Sequence, residues 1–147
     1  MKSLLISGLK AVLVFSLLLT FQTSLSAEEA KLEVKGTPWK LVKIGDKEFK
    51  GTEGAPPPFI KLLPEKNRVI GFTGCNKFGG TYTLEGSKVS FDLKLSTKNA
   101  CPKTPGMDTD FLGTLAKAQT FKSQGSKLEL MADGKVIAEF SELKMKK

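Results

Sequence analysis

The two cysteines, Cys75 and Cys101, are the side chains in this sequence best suited by type to chemistry, and there is no histidine to work beside them. Without an imidazole the chain has no Ser-His-Asp or Cys-His nucleophile, no histidine general base and no histidine ligand for a transition metal. The thiols lack both the CxxC spacing and the third sulfur that a redox or metal centre uses. They read as the two halves of one structural disulfide, closing a loop of about 26 residues and constraining the unfolded chain by roughly 3 to 4 kcal/mol in the chain-entropy treatment. Asp108 and Asp110 are the acidic pair nearest a cleft edge, but two positions along a helix separate them by about 200°. They suit the first turn of a helix, where carboxylates oppose the positive end of its dipole, better than a glycosidase pair. Gly71, Gly74, Gly79 and Gly80 fall between two strands with no helix start behind them, so they form no phosphate-binding loop. No local signature supports a Ser-Lys dyad. These observations assign no catalytic, cofactor-binding or metal-binding residue, and the expectation is a protein that is not an enzyme.

The elements that would position these residues are mostly strands. Patterning begins at Trp39–Ile44 and turns at Gly45-Asp46 toward a short partner at Lys47–Phe49. Pro56-Pro57-Pro58 has no amide donors and forms a loop. Phe59–Leu63 and Arg68–Phe72 flank Pro64–Asn67 as a second hairpin; Thr81–Glu85 and Lys88–Thr97 flank Gly86-Ser87 as a third. Val89, Phe91, Leu93 and Leu95 alternate with polar residues, the period of a strand with one buried face. After Cys101 the period changes: Thr104 reads as a helix N-cap with Pro105 at the first helical position, and Met107, Phe111, Leu115 and Ala118 recur at helical spacing. Strands at Thr120–Gln124, Lys127–Met131 and Lys135–Ser141 close the chain, the last with Val136, Ala138 and Phe140 facing in. The expected fold class is mainly β (α+β): about eight antiparallel strands curled into a small barrel-like sheet with one α-helix packed against it.

The N-terminal segment carries Lys2 and Lys10, then an uncharged apolar run over 11–21, then the small-residue triplets Ser24-Leu25-Ser26 and Leu25-Ser26-Ala27. This is the pattern of a cleaved signal peptide over residues 1–27, and the uninterrupted run is shorter than the ~20 residues of a membrane span. No cysteine follows the run, so no lipoprotein anchor is expected there. The organisation that results is a signal peptide at 1–27, a flexible lead-in at 28–36, one domain at 37–143 and a lysine-rich tail at 144–147. Cleavage removes two lysines and no acid, lowering the formal charge of +8 by two. The mature protein is expected to be periplasmic or secreted, monomeric and not an integral membrane protein. Its basicity is scattered lysine with Arg68 as the one arginine, a surface that does not point to nucleic acid.

The string from Gly71 to Tyr82, GFTGCNKFGGTY, resembles the G-x-x-G-C-N-x-[FY]-x-G-x-Y signature of the META domain family, the family of HslJ-like envelope proteins. Its motif positions here are Gly71, Gly74, Cys75, Asn76, Phe78, Gly80 and Tyr82. Trp39 and Leu41 upstream agree with the family, as do Thr97 and Cys101 in a T-x-x-A-C element, Phe111, Leu112 and Leu115, and then Leu128, Leu130 and Phe140. Asn99 stands where methionine is common and Asp110 where glutamate is common. The resemblance implies a compact β-barrel-like domain with one helix, found in envelope and secreted proteins associated with stress such as heat shock. It also implies a likeness to the cracked barrel of pilot proteins, which escort secretins and can hold an acyl chain; no enzymatic activity is implied.

The motif has a conformational reading as well, in which Gly74, Gly79 and Gly80 permit turns beside the disulfide, Asn76 bonds its own backbone, and Phe78 and Tyr82 pack. Beside that stands a binding reading: a non-catalytic envelope protein that takes an apolar ligand, such as a lipid, or an envelope protein partner, at a rim formed by Trp39, Pro56, Phe59 and Phe78. The alternatives are a pilot-like chaperone for an outer-membrane or secretion-system protein, engaged through a strand edge or groove, and, third, an unrecognised enzyme.

Overall fold

Short alternating segments separated by turns such as Gly45-Asp46, Gly86-Ser87, Gly125-Ser126 and Asp133-Gly134 cannot bury an apolar face alone, and in this chain they do so by closing on themselves. The computed structural model describes residues 34–50 and 54–144. The expected signal peptide, most of the lead-in and the last three residues of the tail lie outside the described residues. Nine strands follow in order: β1 (Pro38–Ile44), β2 (Lys47–Glu48), β3 (Phe59–Leu63), β4 (Arg68–Phe72), β5 (Lys77–Glu85), β6 (Lys88–Leu95), β7 (Thr120–Gln124), β8 (Lys127–Ala132) and β9 (Lys135–Glu142). One helix, α1 (Met107–Lys117), lies between β6 and β7. Antiparallel pairing runs from β1 through β3 to β9, and β9 returns to β1 along Trp39–Ile44, so eight strands make a closed barrel and two-residue β2 is an appendage on β1. The mainly β fold class is borne out.

The seam between β6 and β7 is the weak point of this closure. Those strands share only the pair Lys88↔Thr120, with flanking bonds from Val89 N to Gln119 O (3.0 Å) and from Phe121 N to Ser87 O (2.8 Å). Beyond it β6 leaves β7, and α1 packs against the departing strand. Phe111 and Leu115 of α1 are fully buried with Trp39, Phe140, Leu41 and Ile60. Phe111 meets Phe78 edge-on at 5.7 Å between ring centroids and Phe140 at 6.2 Å, so the helix is fixed by aromatic packing in the barrel core.

Three expectations are corrected. Thr104-Pro105 does not start the helix: Met107 N bonds Thr104 O at 3.2 Å and Gly106 sits at φ 77°, the geometry of a Pro-Gly type II turn, and α1 begins one residue later. Val136 is exposed rather than inward, because a bulge between Leu130 and Met131 pairs it with Met131 and shifts the alternation of β9 by one. The lead-in is not loose at its C-terminal end: Val34 is buried and accepts the Trp39 indole N–H at 3.1 Å, while Gly36 N bonds Leu62 O at 2.7 Å.

Candidate functional site

Three of the signature residues, Gly74, Cys75 and Asn76, lie at a buried polar hub. Thr73 and Asn76 are its fully buried polar side chains. They stand on the tight turn between β4 and β5, where Gly74 takes φ 100°, a region that other residues rarely adopt. The Thr73 hydroxyl accepts the Asn76 amide at 2.9 Å and donates to Asp108 Oδ1. Asn76 Oδ1 accepts from Asn99 N at 2.7 Å and from the Thr97 hydroxyl at 2.8 Å. Its Nδ2 donates to Asp108 Oδ2 at 2.7 Å and to Asn99 O at 3.1 Å. Because Oδ1 faces a backbone N–H, the orientation of the amide is fixed, and its donors and acceptors are all engaged. The Cys75–Cys101 disulfide lies against the hub, with Cα atoms 5.9 Å apart and Cys101 Sγ 3.4 Å from Asn76 Nδ2. The turn, the 97–101 segment and the first turn of α1 are therefore tied at one point.

The hub changes the reading of several motif residues. Asn76 bonds distant segments, not its own turn alone, and Asp108 serves the hub as well as the helix dipole. Asp110 is exposed and plays no part in it. Gly79 and Gly80 are not turn residues but lie inside β5. A Cβ on Gly80 would overlap the Asp92 carbonyl of β6, and one on Gly71 would overlap the Phe78 ring and the Phe59 carbonyl; both glycines permit close approach. Tyr82 is buried and donates to Leu63 O at 3.2 Å. Burial, and secondarily the negative charge of Glu65, push its phenol above the ordinary value.

A cleft of about 250 Å³ opens beside the hub, lined by Leu41, Phe49, Ala55, Pro56–Pro58 and Met107, with Thr73, Gly74 and Thr104 at the hub end and Lys40 and Lys50 among its walls. The expected rim is corrected on this point. Trp39 and Phe78 are 1% and 2% exposed and belong to the core, because each sits on the inward face of its strand. Phe59 is half-buried, pairs with Lys40 and Phe72, and does not itself line the cleft; Pro56 alone of the four lines it. The residues missed were Lys40, Phe49, Lys50 and Met107; the signal available was the proline loop, which had to pack on something across from it. A second, more open depression of about 470 Å³ lies between β6 and α1, lined by Phe91, Leu93, Leu95, Leu112 and Ala116 with Asp92 and Asp108. Among the described residues no helix is long and apolar enough to cross a membrane.

A family model described as the META domain matches residues 30–144. Among solved structures, an NMR structure of a protein from Burkholderia xenovorans is similar at 26% identity and a TM-score of 0.62, covering 80% of this chain and 88% of that one. A crystal structure of a DUF4847 family protein from Bacteroides vulgatus shares the fold at 13% identity and a TM-score of 0.57, with 79% and 99% of the two chains covered. No protein with a curated description matches. The signature residue Asn76 thus centres the hub that ties the β4–β5 turn to α1, the family model matches residues 30–144, and the chain belongs to the META domain family.

Proposed function

We propose that this META-domain protein is an exported, non-catalytic binding protein of the cell envelope, which takes an apolar ligand or the apolar side chain of a protein partner in the cleft under Pro56–Pro58. The observation that carries this reading is the contrast between two neighbouring sets of residues. The polar side chains that could do chemistry, Thr73, Asn76 and Asp108, hydrogen-bond one another. The apolar side chains beside them, Phe49, Met107 and the prolines, leave a cleft of about 250 Å³, slightly below the usual size of a small-molecule site. Export to an oxidising compartment is supported by the disulfide. The test is titration with N-phenyl-1-naphthylamine, an uncharged apolar fluorophore, mapped by amide chemical shifts. Binding that shifts Leu41, Phe49, Gly74 and Met107 supports the reading; no binding, or shifts spread over the lysine surface, contradicts it.

One observation favours the pilot-like alternative. β6 pairs with β7 only at Lys88, so its edge from Phe91 to Leu95 carries main-chain groups that a partner strand could engage, next to the open depression against α1. On this reading the shifts produced by a bound partner peptide fall on Phe91, Leu93 and Leu112 instead.

A further inference from the structure

The cleft has a sign as well as a shape. Lys40, half-buried, and Lys50, exposed, both line it, and among the described residues no carboxylate does. The ion pairs formed among the described residues are those of Lys127 with Glu129 and Glu139, so neither cleft lysine has an ion-pair partner among the described residues. Lysine stems lie along apolar surface while their ammonium groups reach water, which places two positive charges at the edge of an apolar floor. A volume of about 250 Å³ equals about eight water volumes at ~30 Å³ each, and a methylene fills about as much space as a water. The cleft therefore matches one chain of about eight carbons.

We infer that the cleft binds a single-chain anionic amphiphile, its tail against Leu41, Phe49 and Met107 and its carboxylate or phosphate head beside Lys40 and Lys50. This rests on the reading of the cleft as a binding site and adds the class of ligand. The apolar floor supplies the affinity and the lysines choose the sign of the head group, as charges at an interface usually contribute selectivity more than strength.

The experiment is calorimetric and NMR titration of the full mature protein with octanoate, octyl phosphate, 1-octanol and inorganic phosphate. Octanoate and octyl phosphate are expected to bind at the cleft, 1-octanol more weakly and inorganic phosphate not measurably; a preference between the first two says which head group is the natural one. Lys40→Gln with Lys50→Gln is expected to weaken octanoate binding about tenfold, the effect of losing two partly screened ion contacts, and to leave 1-octanol unchanged. Ala55→Glu, at an exposed position that does not threaten the fold, is expected to abolish octanoate binding. If 1-octanol binds as tightly as octanoate and the lysine variant binds both normally, the anionic class is overturned while the cleft stands. Inorganic phosphate binding as well as octyl phosphate overturns the role of the tail. If none of the four binds, the cleft reading falls with it.

Discussion

Asn76 and Asp108, 32 residues apart in the chain, are joined by a 2.7 Å hydrogen bond from Nδ2 to Oδ2, and through it the first turn of α1 is fastened to the turn that carries Cys75. The same amide holds Asn99 on the segment leading to Cys101. One side chain thus orders three stretches of chain that secondary structure alone would leave independent, and its turn supplies Thr73 and Gly74 to the candidate cleft.

Asn76→Ala removes that link and leaves the Asp108 carboxylate and the Asn99 backbone groups without their partner. Buried polar groups stripped of a partner cost about 1 to 3 kcal/mol each, and networks lose more than isolated pairs. The expected loss is about 3 kcal/mol or more in urea unfolding. Asn76→Asp, of the same shape, is expected to be worse at neutral pH, because a second carboxylate then faces Asp108, and to recover part of its stability in acid as one carboxyl is protonated. A stability within 0.5 kcal/mol of wild type for Asn76→Ala, roughly the scatter of ordinary surface substitutions, is the contrary result.

The disulfide closes a loop with a sequence separation of 26, which the chain-entropy treatment values at about 3.5 kcal/mol. Reduction, or the Cys75→Ser/Cys101→Ser pair, is expected to lower the unfolding free energy by about that amount while leaving the barrel's far-UV circular dichroism intact under native conditions. Identical urea midpoints with and without reductant are incompatible with a structural bridge.

Tyr82 is the one tyrosine in the chain, so phenolate absorbance reports on it alone. Burial and Glu65 raise its folded pKa above the ordinary 10.0, and the neutral phenol is the form that donates to Leu63 O. The sign follows: this contribution is fully present below pH ~10 and is lost as pH rises through the higher folded value. An absorbance titration is expected to show a midpoint above 10 that returns to the ordinary value in urea, and Tyr82→Phe is expected to flatten the alkaline fall in stability. A native midpoint at or below 10 refutes the assignment.

Gly80→Ala introduces a Cβ into the Asp92 carbonyl of the neighbouring strand, where backbone rather than a flexible side chain must give way. The cost expected for such overpacking is about 1 to 3 kcal/mol. At Gly79 the nearest atom to an added Cβ is Val69 O at 3.5 Å, ordinary contact, so Gly79→Ala should be nearly silent. Equal effects at the two positions, measured by thermal melting, contradict the close-approach role.

Strand positions were legible wherever alternation persisted over several residues, as in β6, because a half-buried strand has no other way to write its two faces. The alternation also held the answer for Trp39 and Phe78: Trp39 is in phase with Leu41, and Phe78 with Tyr82, so both belong to the core and could not form a rim. Val136 was misplaced because a bulge has no clear signature in a short strand. The start of α1 was misread because proline followed by glycine satisfies a type II turn as readily as a helix start. The hub was the least legible feature. Its bonds join Thr73, Asn76, Asn99 and Asp108 across the chain, and nothing local in sequence distinguishes an asparagine that caps its own turn from one that reaches two other segments.

Whether the protein is an exported, disulfide-closed barrel with an apolar ligand in its cleft is read in one experiment, native mass spectrometry of the protein recovered from the cells that make it. The predicted spectrum begins at Ala27 or Glu28, is two hydrogens lighter than the reduced chain, and carries a small apolar or amphiphilic molecule that Ala55→Glu removes. A bare, reduced chain retaining its first residues would contradict it.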